Sequence, residues 1–272
     1  MTTDSAERPP LDKQRLAPGH PALPPDLVVE VLEQAASTNA EAIARAWEGA
    51  PDGLVVVAEH QHAGRGRLDR QWETPARAGL TFSLLVRPTS PTRAWPWLPL
   101  LTGYAVDKAL RAHGVADVGV KWPNDVLIGE QKVAGILVER IETPQGPAAV
   151  LGVGVNVSTT AEELPVPTAT SLLLATGAAP DRTTLLLAVL ASLREAYDAW
   201  EAGGDASGMR LQESYRAACV TVGRQVRVEL PDGSALEGVA REIDPAGQLV
   251  VEAAGRRHAV SAGDVVHVRA LT

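Results

Sequence analysis

Six short apolar runs set the first constraint on this chain: Leu27–Leu32, Leu54–Val57, Leu80–Val86, Val126–Ile128, Val133–Glu139 and Ala148–Val157. Each is rich in β-branched or aliphatic residues and is bounded by turn formers, so each reads as a strand. Two stretches among them have helical spacing instead. Thr38 with Glu41 makes a capping box for a helix to about Trp47, and Leu98, Leu101, Val106 and Leu110 mark a helix over Trp95–His113. Two further helices are expected at Arg182–Trp200 and Asp205–Ala218, separated by the stop Gly203-Gly204. From Val222 the character changes: short strands alternate with the turns Pro231-Asp232-Gly233, Asp244-Pro245-Ala246-Gly247 and Ala254-Gly255. Five such strands fit a small SH3-like β-barrel. The expected fold class is α+β: a large mixed-sheet domain over 26–220 and the barrel over 221–272. Met1–Pro25, rich in proline and charge, is expected to be a flexible leader.

Composition narrows the function classes. A formal charge of −8 argues against a general nucleic-acid binder, because non-specific phosphate affinity comes from a basic surface. The proline-rich start is also too short for a helix-turn-helix domain, so DNA binding is not expected. Cys219 is the single cysteine, which leaves no intrachain disulfide or thiolate zinc cluster and fits a reducing compartment. Without a signal-like apolar segment or a run long enough to span a bilayer, the expectation is a cytoplasmic protein with no membrane partner.

Against that acidic background one loop stands out. Gly64-Arg65-Gly66-Arg67-Leu68-Asp69-Arg70 follows a strand and holds three arginines and two glycines. Arginine offers a rigid fork of donors to carboxylate or phosphate, and glycine lets backbone N–H groups approach an anion. Of only four lysines, two fall in a second stretch, at Lys121 and Lys132. Asp125 there is either a turn residue or a carboxylate for Mg²⁺. Ser37, Thr38 and Asn39 can cap a helix while turning polar groups toward a ligand. Gly152 and Gly154 mark a bulge or a close backbone approach in a strand, and Gly135 would let the chain pass close to a ligand.

The order of these pieces resembles the biotin–protein ligases, a family with the biotin/lipoate ligase catalytic domain. The resemblance rests on Ser37-Thr38-Asn39, on Gln61-x-x-Gly64-Arg65-Gly66-Arg67-x-x-Arg70-x-Trp72, and on Lys121-Trp122-Pro123-Asn124-Asp125. It continues through Lys132-x-Ala134-Gly135-Ile136-Leu137-x-Glu139 and Gly152-x-Gly154-x-Asn156. It is close over Leu27–Asn156 and architectural beyond. It implies that biotin is activated by MgATP as biotinyl-5′-adenylate and passed to a lysine of a biotin carboxyl carrier protein. By the same resemblance Arg67, Lys132 and Asp125 are catalytic, with Asp125 as the metal residue. Biotin would meet Ser37, Thr38, Asn39, Gln61, Gly64, Arg65, Gly66, Arg67, Lys132, Gly135, Gly152 and Gly154. Arg65, Arg67, Arg70, Lys121, Asn124 and Asn156 would serve ATP and its phosphates, and the arginine loop would order on ligand binding.

His62 stands where some relatives carry a second glutamine, and Gln61 is retained. The rival readings are a lipoate–protein ligase, an octanoyl transferase using Cys219, and a non-catalytic biotin-binding module. A fatty tail would not need Asn39 and Gln61, and a module that only bound biotin would not need the cationic set. A dinucleotide fold fails because Gly64-x-Gly66 lacks the third glycine and a following helix. The chain is expected to be a monomer or a ligand-promoted homodimer.

Overall fold

The computed structural model describes residues 8–67, 70–203, 206–230, 232–261 and 263–267. In chain order these form β1 (Val28–Ala35), α1 (Thr38–Trp47), β2 (Leu54–Gln61), β3 (Gly64–Arg65), β4 (Gln71–Trp72) and β5 (Gly79–Val86). Then come α2 (Trp97–Ala112), β6 (Val118–Lys121), β7 (Asp125–Ile128), β8 (Gln131–Thr143) and β9 (Gly146–Asn156). The chain continues with α3 (Leu172–Thr176), α4 (Arg182–Glu201), α5 (Ala206–Ala218) and five strands, β10 (Gln225–Glu229), β11 (Ala235–Ile243), β12 (Leu249–Ala253), β13 (Arg256–Val260) and β14 (Asp264–His267). The fold is α+β, as its strand and helix patterns imply. The short α3 was not expected; Ser171 starts it by accepting from Leu174 N.

Two compact units contain these elements: Met1–Arg87 with Gln131–Ala191, and Pro88–Glu130 with Ser192–Thr272. They do not follow the expected division at 220/221, because residues 88–130 cluster with the C-terminal part of the chain.

In the first unit five strands form a mixed sheet in the order β1-β2-β5-β9-β8. β1 and β2 are parallel; the other pairs are antiparallel. Strand side chains alternate between faces, so residues opposite one another across the ladder share a face. One row runs Ser83–Gly152–Leu137, and the next runs Thr81–Gly154–Gly135. Helix α1 lies on this face. Its buried stripe is Thr38, Asn39, Ala42 and Ala46, spaced as one helical face. Ala42 and Ala46 pack with Leu54, Val56, Leu85, Ala148 and Val150. The stripe is therefore apolar where it meets aliphatic strand residues and polar in its first turn.

Residues 8–25 differ from the flexible leader expected of them. Leu11, Leu16 and Leu23 are buried. Leu11 N donates to Glu59 Oε1 at 2.6 Å, and Arg182 Nη2 donates to Pro9 O at 2.8 Å. Proline and charge gave the segment its disordered look, but widely spaced leucines and backbone donors tie it down. Residues 1–7 of the expected leader lie outside the described residues.

The second unit contains the β6–β7 hairpin, α2, α5, the last part of α4 and the antiparallel sheet β13-β12-β11-β10-β14, consistent with an SH3-like domain. Trp97 and Trp122 donate their indole N–H groups to Pro245 O and Gly247 O at 2.9 and 3.0 Å. Gly247 has φ +81°, and a Cβ there would stand 3.1 Å from Leu100, so this turn takes glycine for both conformation and space.

Candidate active site

The first turn of α1 carries a connected polar network. Ser37, rather than the expected Thr38, is the N-cap, and its side chain accepts from Ala40 N. Thr38 is engaged elsewhere: its N–H donates to Gln61 Oε1 at 2.8 Å, and its hydroxyl stands 3.3 Å from the same oxygen. Ser83 Oγ lies 2.8 Å from Thr38 Oγ1 and 2.6 Å from Asn39 Oδ1. An amide oxygen only accepts, so the Ser83 proton goes to Asn39, and Thr38 directs its own to Ser83 or Gln61. Asn39 Nδ2 donates to Leu137 O at 3.2 Å and to Glu139 Oε2 at 2.7 Å. Glu139 Oε1 in turn pairs with Arg65 at 3.6 Å. All of Ser37, Thr38, Asn39, Gln61 and Ser83 are buried.

Glycines let this network and the arginine hairpin reach the sheet. A Cβ at Gly152 would meet Asn39 Oδ1 at 2.2 Å, and one at Gly64 would meet Gln61 Nε2 at 2.1 Å. The Trp72 ring lies over the next row: a Cβ at Gly154 would come within 2.4 Å of it, and one at Gly135 within 3.0 Å. Lys132 Nζ is 5.5 Å from the centroid of the same ring, within cation–π range. The indole Nε1 is buried with no hydrogen-bond partner among the described residues. Backbone bonds pin Lys132 to the 166–170 loop, since its N–H donates to Thr168 O and its carbonyl accepts from Thr170 N, both at 2.8 Å.

β3 and β4 make a small hairpin that carries the cations. Gly64 pairs with Trp72 and Arg65 with Gln71. Gly66 N donates to Arg70 O at 2.6 Å, and Arg70 N to Arg67 O at 3.3 Å. The tip at residues 68–69, part of the loop expected to order on ligand binding, lies outside the described residues. Ser37, Thr38, Asn39, Gln61, Gly64, Arg65, Lys132, Gly135, Gly152 and Gly154 are thus joined by contacts on one sheet face, with Gly66, Arg67 and Arg70 on the attached hairpin. Asn156 is buried and donates to Thr170 O at 2.9 Å. Lys121, Asn124 and Asp125 belong to the second unit, where Lys121 and Asp125 pair across the β6–β7 hairpin. Burial pushes the Cys219 thiol above its ordinary value. A thiol held neutral is a poor nucleophile.

Sequence comparison decides what this arrangement belongs to. Residues 32–156 match the model of the biotin/lipoate A/B protein ligase family, and residues 221–268 match the biotin protein ligase C terminal domain. A biotin–[acetyl-CoA-carboxylase] ligase of Mycobacterium tuberculosis is 43% identical over 283 residues, covering 99% of this chain and all of that protein. The chain belongs to the biotin–protein ligase family. The bifunctional ligase/repressor BirA of Escherichia coli is 34% identical, over 84% of this chain and 70% of its own length. Among biotin–protein ligases of solved structure, that of Aquifex aeolicus, in complex with biotin and ATP, superposes with a TM-score of 0.75 at 27% identity. That match covers 89% of this chain and 99% of the other.

Two members of the biotin–protein ligase network here were not among the expected site residues. Ser83 was hidden in an apolar run, where the only signal was a polar residue at an inward position of Leu80–Val86. Glu139 closes the Lys132–Glu139 motif, but nothing in spacing alone says that its carboxylate turns to Asn39 and Arg65.

Proposed function

We propose that this chain activates biotin with ATP and transfers it to a lysine of a biotin carboxyl carrier protein. The observation that carries the reading is the gathering of cationic and polar motif residues on one sheet face, in a chain alike along its whole length to a named biotin ligase. In the first step a biotin carboxylate oxygen attacks the α-phosphorus of ATP. The new bond gives biotinyl-5′-adenylate, and pyrophosphate leaves. In the second, the neutral amine of the acceptor lysine attacks the anhydride carbonyl, AMP leaves, and the amide forms with loss of a proton.

Both reactants of the first step are anions, so cations must lower their repulsion before a bond forms. Lys132 and the Arg65–Arg67 forks take that role, and Arg70 serves phosphate. Gln61, Ser37 and Thr38 offer donors and acceptors to the ureido head, on a floor whose closeness depends on Gly152 and Gly154. Lys121, Asn124 and Asn156 keep the nucleotide roles given by their match to the motif. Mg²⁺ takes most of its ligands from phosphate and water and needs few carboxylates, so the half-buried Asp125 at the start of β7 fits it. Asp125 would hold the ion, which supplies charge neutralisation. No helix among the described residues is long and apolar enough to cross a membrane. A cytoplasmic location is proposed from the lone buried cysteine. A monomer or ligand-promoted homodimer is proposed.

The test is an ATP–pyrophosphate exchange assay with biotin or lipoate, followed by transfer to a carrier domain. Biotin should support both reactions and lipoate neither; exchange with lipoate alone overturns the reading. Lys132→Ala should lower biotin-dependent exchange by about 100-fold or more with an unchanged thermal transition.

A further inference from the structure

We infer that Glu139 is a positioning residue, which holds the Asn39 amide in one orientation and latches the arginine hairpin to the sheet through Arg65. The inference deepens the proposed function and rests on it. Asn39 could turn its amide either way round on steric grounds, since its oxygen and nitrogen are nearly isosteric. Leu137 O and the Glu139 carboxylate are both pure acceptors, at 3.2 and 2.7 Å from Nδ2. They admit only the NH₂ end. Oδ1 is then fixed toward the Ser83 hydroxyl at 2.6 Å and onto Gly152. Both amide N–H groups of Asn39 are thereby engaged within the protein, so Asn39 shapes the head pocket rather than offering its donors to a ligand.

The second carboxylate oxygen faces Arg65 at 3.6 Å. Arg65 is the more exposed partner, with 57% of its side chain accessible against 27% for Glu139. The charge of Glu139 therefore acts on the hairpin, and its hydrogen bond acts on the pocket. A single side chain joins the surface that grips the vitamin to the segment that carries the cations. Glu139 itself need touch neither substrate.

The two halves of the carboxylate can be separated. Glu139→Gln retains a carbonyl oxygen for Asn39 Nδ2 and removes the charge facing Arg65. Glu139→Ala removes both. Wild type is measured first; absence of biotin-dependent exchange there would overturn the functional reading and this inference with it. Given an active wild type, Glu139→Gln should keep KM for biotin within about threefold, while its adenylate dissociates about 10-fold faster. Glu139→Ala should in addition raise KM for biotin about 10- to 100-fold. A readout independent of activity is tryptic cleavage after Arg65, Arg67 and Arg70 with no biotin or ATP added, which should be several-fold faster in both variants. Two wild-type-like variants would overturn the inference. So would variants in which KM, adenylate release and cleavage all move in step with a lowered thermal transition, since that is what a merely structural residue gives.

Discussion

A methyl group on residue 152 has nowhere to go: it would stand 2.2 Å from Asn39 Oδ1, with the amide carbon at 2.9 Å behind it. Gly152→Ala must therefore displace Asn39, and with it the bonds to Ser83, Leu137 and Glu139. The expected outcome is a stability loss of about 1–3 kcal/mol, from overpacking. Biotin affinity should fall about 10-fold or more as the pocket loses its fixed amide. Thermal unfolding and calorimetric titration check the two effects separately. At this scale the sequence was informative about kind but silent about partner. A glycine inside a strand announces a close approach, and Gly152, Gly154 and Gly135 each have one. The arriving groups are the Asn39 amide and the Trp72 ring. Strand period cannot say which side chain descends from a helix or a hairpin far away in sequence.

Elements were legible from apolar period, with errors at their ends. β8 runs to Thr143, well past the expected Glu139, because residues 140–143 pair with 146–149 of β9 although they are exposed or half-buried. Arg140, Glu142 and Thr143 carry no hydrophobic signal, yet the ladder continues through their backbone. The strand β14 ends in a side chain with a measurable consequence. His267 Nε2 lies 3.2 Å from Thr221 Oγ1, and Arg224 Nη1 is 3.4 Å from Nδ1. Burial, reinforced by Lys121 and Arg224 and opposed by Glu130, lowers its pKa to about 4. An unfolded histidine titrates near 6.5. Between those values the unfolded chain binds a proton that the folded chain refuses. The contribution to stability is therefore complete above about pH 6.5 and is lost progressively as the pH falls toward 4. His267→Gln should flatten the pH dependence of the thermal transition between pH 6.5 and 4; an unchanged slope would remove histidine from the account.

At the scale of the whole molecule, the first described residues matter more than their composition suggests. Arg182 and Glu59 form an ion pair at 2.6 Å with only 7% and 3% of their side chains exposed, closed over by Leu11 N and Pro9 O. A buried pair of this kind is costly to disturb, since any loss of partners leaves charge in a poorly solvated site. Deleting residues 1–25 should lower the thermal midpoint by roughly 5–15 °C, through loss of three buried leucines and of cover over that pair. A midpoint within about 2 °C of the full chain would return the segment to the status of a leader. Taken alone, the sequence determined which residue types were available in what order: the strands, the capped helix, the arginine-rich loop and the motifs that mark the family. These depend on local period, turn chemistry and spacing, which a linear chain carries in full. Only the tertiary structure decided that Ser83 and Glu139 join the site, that glycines receive Asn39 and Trp72, and that a proline-rich start is anchored. Those outcomes depend on which distant groups meet under close packing, where a single proton or methyl group fixes the arrangement.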